Sequence, residues 1–97
     1  MPTYIALMKW TDQGIRAVKE SGQRFDAARQ MIEQAGGTLR DFYMVMGEYD
    51  LLGIIEAPDD ETYARIALSA ASQGNLHTTT LKAFTQEEYR RIVDSLP

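Results

Sequence analysis

Few side chains in this 97-residue sequence could do chemistry, and most of them fall near one short run, Gly47-Glu48-Tyr49-Asp50. Asp50 is the best candidate for a catalytic group. A carboxylate in a partly dry pocket can act as a general base or fix a polar ligand. The same carboxylate could instead pair with Lys9 or cap a backbone N–H at the turn. Tyr43 and Tyr49 offer phenols that want one hydrogen-bond partner when buried. His77 is the only histidine and could move a proton near neutral pH. Lys9, Tyr43, Tyr49, Asp50 and His77 are therefore the candidate ligand-binding set.

Other chemistries lack their residues. One histidine and no cysteine cannot build a His-rich or thiolate metal site, and no His/Asp/Glu spacing resembles one. No metal and no cofactor is expected. No Gly-x-Ser-x-Gly elbow supports a serine nucleophile. Gly36-Gly37 is followed by neither a Lys-Ser/Thr pair nor a Gly-x-Gly-x-x-Gly pattern, so it is no phosphate loop. The net charge is −4, and no Lys/Arg cluster is longer than Arg90-Arg91. Nucleic acid and membrane surfaces are thus poor partners. The N-terminus lacks the pattern of a signal peptide, and no apolar run approaches the ~20 residues of a membrane span. A cytoplasmic location is expected, and the absence of cysteine permits it.

The elements that must position these residues follow from periodicity. Thr3 to Trp10 reads as a strand. Thr11 caps a helix whose pattern is interrupted at Ser21-Gly22. Phe25, Ala28, Ile32 and Ala35 then form one helical stripe, closed by Gly36-Gly37. Leu39 to Met46 and Tyr49 to Ala57 are strands joined at Gly47-Glu48. Asp59 caps a helix with the stripe Tyr63, Ile66, Ala67, Ala70 and Ala71, whose small side chains permit close approach to neighbours. Leu76 to Phe84 is the fourth strand. Thr85 and Glu88 make a capping box for a tail helix with Tyr89, Ile92, Val93 and Leu96 on one face. The order predicts a single α+β domain over residues 1–97, ferredoxin-like βαββαβ, with an antiparallel sheet in order 4-1-3-2 and a C-terminal helix.

A two-residue type II′ turn at Gly47-Glu48 would oppose Met46 to Tyr49, Val45 to Asp50, Met44 to Leu51, Tyr43 to Leu52 and Phe42 to Gly53. One face then holds Phe42, Met44, Met46, Tyr49, Leu51, Gly53, Ile55 and Ala57, with no charge, and belongs under the helices. Tyr4, Ala6, Met8 and Trp10 join it. Ile5, Leu7, Lys9, Tyr43, Val45, Asp50, Leu52 and Ile54 fall on the open face. Thr78, Thr80 and Lys82 are assigned there too. Such an open face is too apolar for water. Packing sheet to sheet against a second copy would cover it, close an eight-stranded barrel and enclose a cavity. The loops at Lys9 to Asp12, Gly47 to Asp50 and Gly74 to His77 converge on one sheet edge.

Met1-Pro2-Thr3-Tyr4, Trp10 to Ile15, Gly47-Glu48-Tyr49-Asp50, Ala57 to Glu61 and Thr78-Thr79-Thr80-Leu81 together resemble the GYD domain family, named for Gly-x-Tyr-Asp. The resemblance spans nearly the whole chain. It implies a small bacterial or archaeal protein with a dimeric α/β-barrel fold and implies no activity. The expected function is a homodimer holding a small molecule in the cavity between its sheets; the alternatives are a cofactor-free dimeric-barrel enzyme of monooxygenase or isomerase type and a structural or protein-interaction module.

Overall fold

The computed structural model describes all 97 residues. Strand β1, Thr3–Trp10, ends at Thr11, whose hydroxyl accepts from the Gly14 N–H and caps helix α1, Asp12–Arg16. A 3-10 turn, Val18–Glu20, leads into α2, Ser21–Gln34. Ser21-Gly22 thus opens the second helix rather than interrupting a first one. Gly36, with φ of +88°, ends α2 in the left-handed conformation that glycine adopts without a Cβ clash. Strands β2, Thr38–Met44, and β3, Leu51–Glu56, form the hairpin. Helix α3, Asp60–Ala71, begins on an Asp59 side chain that accepts from the Thr62 N–H. Strand β4, Leu76–Ala83, and helix α4, Gln86–Asp94, complete the chain, the latter with the full Thr85/Glu88 capping box.

The strand order is β2-β3-β1-β4 with antiparallel neighbours, the 4-1-3-2 order that the sequence predicts. Met44 opposes Leu51, Tyr43 opposes Leu52 and Phe42 opposes Gly53, in the expected register. The connection itself differs. Val45 N–H donates to the Asp50 carbonyl at 2.8 Å, so Met46 to Tyr49 form a four-residue loop in place of a two-residue turn. Lengthening the loop by one residue on each side leaves every opposed pair unchanged, which is why the register survives. Met46 is 95% exposed and Tyr49 half-buried; neither sits under the helices. A bulge between Leu39 and Asp41 lets Leu39 join Phe42 and Met44 on the helix side, because one extra residue switches the alternation.

The fourth strand faces the other way from the expectation. Leu81 opposes Ile5, Thr79 opposes Leu7 and His77 opposes Lys9. Opposed residues share a face, so His77, Thr79 and Leu81 lie on the open side, and Thr78, Thr80 and Lys82 lie under α3. Three consecutive threonines carry no apolar alternation, and only pairing with β1 decides their side.

The core gathers Tyr4, Ala6, Ile32, Ile55, Ala57, Tyr63 and Ile66 between the sheet and the two long helices. Only 12 of 97 residues are buried, so this core is thin for its chain length. The open face stays uncovered. Ile5, Leu7, Leu52 and Ile54 are half-exposed, and Leu81 and Tyr43 are about half-exposed as well. Helix α4 keeps Tyr89, Ile92 and Val93 in solvent, Leu96 beyond its end is exposed too, and the helix makes no substantial packing contact with another element. No helix is long and apolar enough to cross a membrane.

Candidate functional site

Small residues open a space over the middle of the sheet. Ala6 and Gly53 on the central strands form its floor, and Ala28 on α2 and Ala67 and Ala70 on α3 form its walls. The volume is about 370 Å³, and 18 of the 23 lining residues are hydrophobic. The alanine stripe of α3 therefore does not draw the helices together; it leaves a cavity between them. That cavity lies inside one chain, between sheet and helices, on the side of the sheet opposite the expected barrel interior.

At one end of it, a polar network crosses from sheet to helix. Tyr4 and Tyr63 stack with ring centroids 4.2 Å apart. The Tyr63 and Thr80 hydroxyls share a hydrogen bond of 2.8 Å. The Tyr4 hydroxyl donates to Asp60, and the Lys82 ammonium lies 2.9 Å from the same carboxylate. Burial, with the Asp60 hydrogen bond second, pushes the Tyr4 phenol up to about 12. The hydrogen bonds from Tyr4 and then Lys82 hold Asp60 below its ordinary value. General acid–base work wants a pKa near the operating pH. This pair is displaced from neutrality in opposite directions, which suits a structural tie. Sequence reasoning missed it because it placed Lys82 on the wrong face; the register pair Tyr4 with Lys82 is the signal that finds it.

The candidates Lys9, Tyr43, Tyr49, Asp50 and His77 are brought to the open face and its edge, and none lines the cavity. Lys9 opposes His77 across β1 and β4, and its ammonium lies 5.4 Å from the centre of the Tyr49 ring. Tyr43 sits in the adjoining cross-sheet row, opposite Leu52, which in turn opposes Leu7. His77 is exposed. Asp50 accepts from the Trp10 N–H at 3.0 Å, and its own N–H donates to the Met8 carbonyl at 2.9 Å. It forms no ion pair with Lys9. No three His, Asp or Glu side chains converge closely enough to hold a metal ion.

The GYD domain model matches residues 4–93. The chain belongs to the GYD domain family. It is 37% identical over 84 residues to the "Glutamine synthetase and cystathionine beta-lyase binding protein" of Thermus thermophilus, covering 86% of this chain and 88% of that one. Its fold is similar to the crystal structure of TTHA0845 from the same organism, with a TM-score of 0.56 at 24% identity over 87% of this chain and 94% of the other. Within this GYD domain the motif residues divide their work. Gly47 has φ of +131°, which a side chain would resist. Tyr49 lies under the Lys9 ammonium. Asp50 fastens the hairpin to the end of β1.

That last role is testable. Asp50→Ala leaves the Trp10 N–H without its partner and is expected to lower stability by about 1–3 kcal/mol. Asp50→Asn retains an acceptor oxygen and should cost less. Urea midpoints for the two variants check this; equal losses would show that the charge, not the acceptor, holds the edge.

Proposed function

We propose that this GYD domain protein is a cytoplasmic, non-covalent binding protein that works as a homodimer, seats its open sheet face on a second copy and engages a partner enzyme. The observation that carries this is the uncovered face itself. The rows Ile54, Ile5, Leu81 and Tyr43, Leu52, Leu7 each cross three of the four strands, and a soluble monomer rarely leaves so broad an apolar surface in water. Two such faces, stacked, make the two-sheet barrel, and the thin core gains from the burial. Lys9, Tyr43, Tyr49, Asp50 and His77 then rim the interface and supply its polar contacts. The absence of cysteine suits a reducing compartment. The relative named for binding glutamine synthetase and cystathionine beta-lyase supports an enzyme of amino-acid metabolism as the partner.

Sedimentation equilibrium should show a wild-type dimer at micromolar concentration. Leu7→Glu, which puts a charge at the centre of the face, should raise the dissociation constant roughly a hundredfold, or ~2.7 kcal/mol. Immobilised glutamine synthetase or cystathionine beta-lyase should retain the wild-type chain. A wild-type protein that stays monomeric at tens of micromolar, as an order of magnitude for weak pairing, overturns the interface. A dimer that ignores both enzymes overturns the partner.

A second reading, that the protein holds a small molecule, is favoured by the sheet–helix cavity, whose volume falls within the range of ligand sites.

A further inference from the structure

Arg24 is the only charged side chain lining the cavity. It is half-buried, and its guanidinium donates to two neutral carbonyls, Ala17 at the C-terminal cap of α1 at 3.0 Å and Gly14 within α1 at 3.4 Å. No carboxylate reaches it; the ion pairs of the chain are Arg40 with Glu56, Arg65 with Glu61 and Lys82 with Asp60. In a chain with 14 acidic residues against 10 basic ones, a half-buried arginine without a counter-ion is an unbalanced charge at the margin of a low-dielectric space. The two carbonyls fix its position and use only two of its five N–H donors. The remainder suit an oxyanion, which guanidinium grips in a fork. Apart from Arg24 and the Ser21 and Thr78 hydroxyls the walls are apolar, with Met8, Phe25, Leu51 and Ile66 among them. These apolar side chains reward a hydrocarbon tail for leaving water.

We infer that the sheet–helix cavity binds a small apolar molecule bearing one carboxylate, with its hydrocarbon part between α2, α3 and the central strands and its head at Arg24. This rests on the reading of the cavity as a ligand site and adds the chemical class. The charge decides between occupants: a neutral lipid or alcohol would leave the guanidinium unanswered, and a cation would be repelled by it.

Trp10 is the single tryptophan and lines the cavity, so its fluorescence reports directly on occupancy. The full chain is titrated with hexanoate, octanoate and decanoate, with octanol and octylammonium as head-group controls. The carboxylates are expected to saturate a Trp10 shift at one per chain. Each added methylene should tighten binding about fourfold until the cavity is full, the factor corresponding to ~0.8 kcal/mol per buried CH₂. Octanol should bind at least about tenfold more weakly than octanoate, and octylammonium more weakly still, as loss of a charge-assisted contact requires. Arg24→Gln should weaken octanoate about tenfold or more while leaving octanol unchanged; the retained octanol affinity shows that the variant is folded. Ala70→Phe, which fills the space from α3, should abolish both and separates this cavity from the open sheet face. Equal affinity for octanol and octanoate, with no effect of Arg24→Gln, overturns the head-group assignment and leaves a neutral ligand site. No Trp10 response to any of these probes overturns the ligand site as well.

Discussion

Tyr4→Ala is expected to bring the isolated chain close to unfolding, with a loss of about 3–5 kcal/mol, the range for deleting a buried aromatic side chain. Tyr4 is 3% exposed, lies in the central strand β1, and stacks on Tyr63 with an interplanar angle of 12°. Removing it deprives Tyr63 of its ring partner and opens a void beside a cavity already present. A domain of this size has a total stability of roughly 5–15 kcal/mol, so the loss takes a large share of it. Chemical unfolding followed by far-UV circular dichroism measures this. A cost below about 1 kcal/mol would mean that the site collapses around the vacancy.

Tyr4→Phe separates packing from the hydrogen bond. The ring stays, so the stability loss is much smaller, and the pH profile changes in a defined direction. The Tyr4 phenol rises from 10.0 to about 12 in the folded chain, so the folded state holds that proton more tightly than the unfolded state. Its contribution is fully present below pH 10 and is lost as the pH climbs toward 12. Tyr4→Phe cannot titrate, so its alkaline decline should be shallower than that of the wild type. Asp60 is displaced the other way, with Tyr4 as its largest cause. A lowered carboxyl contributes above its unfolded value, near 3.8, and the contribution is lost as the pH falls through the folded value. Tyr4→Phe should therefore also soften the acid limb below pH 3.8. Unchanged limbs would mean that the Tyr4 and Asp60 contact does not persist in solution.

The parts of this fold legible in the sequence are those that local chemistry decides. Thr11, Asp59 and the Thr85/Glu88 box cap helices where they stand, because a cap needs only a short side chain and the next turn. The strand order followed from the βαββαβ succession with right-handed crossovers and the hairpin register from the position of Gly47, and the register held despite a longer loop because each strand gave up one residue to it. What escaped depended on partners distant in sequence. The Leu39/Asp41 bulge carries no local signature. The side taken by Thr78, Thr80 and Lys82 is set by pairing with β1. Tyr49 looks like a core residue by type, yet the loop carries it to Lys9. The candidate site shows the same division. The cluster of Lys9, Asp50 and His77 at one edge was foreseeable from topology, whereas the cavity was not. Ala67 and Ala70 allow either close packing or a void, and only the placement of α2 decides between them.

Gly14→Ala is expected to destabilise the chain by about 1–3 kcal/mol, the usual cost of forcing atoms into a filled site, although an alanine is ordinarily the better residue within a helix. Gly14 is buried in α1, and a Cβ there would lie 2.1 Å from the carbonyl oxygen of Asn75. That atom is backbone and cannot swing aside. The Thr11 N–H already donates to the same oxygen at 3.0 Å, and the Thr11 hydroxyl donates to the Gly74 carbonyl at 2.6 Å. Relieving the clash therefore means separating the start of α1 from the turn that feeds β4, which breaks both bonds. Those bonds fix the end of β1 beside the start of β4, where Trp10 opposes Leu76 and Lys9 opposes His77. Gly22, also helical, meets nothing within 4 Å of an added Cβ. Gly22→Ala should leave stability level or raise it by the ~0.4–1 kcal/mol expected when a compatible glycine is replaced. Opposite signs for these two substitutions in thermal unfolding establish that close approach, not helix propensity, governs Gly14; a neutral Gly14→Ala would mean that the α1 to β4 junction is loose in solution.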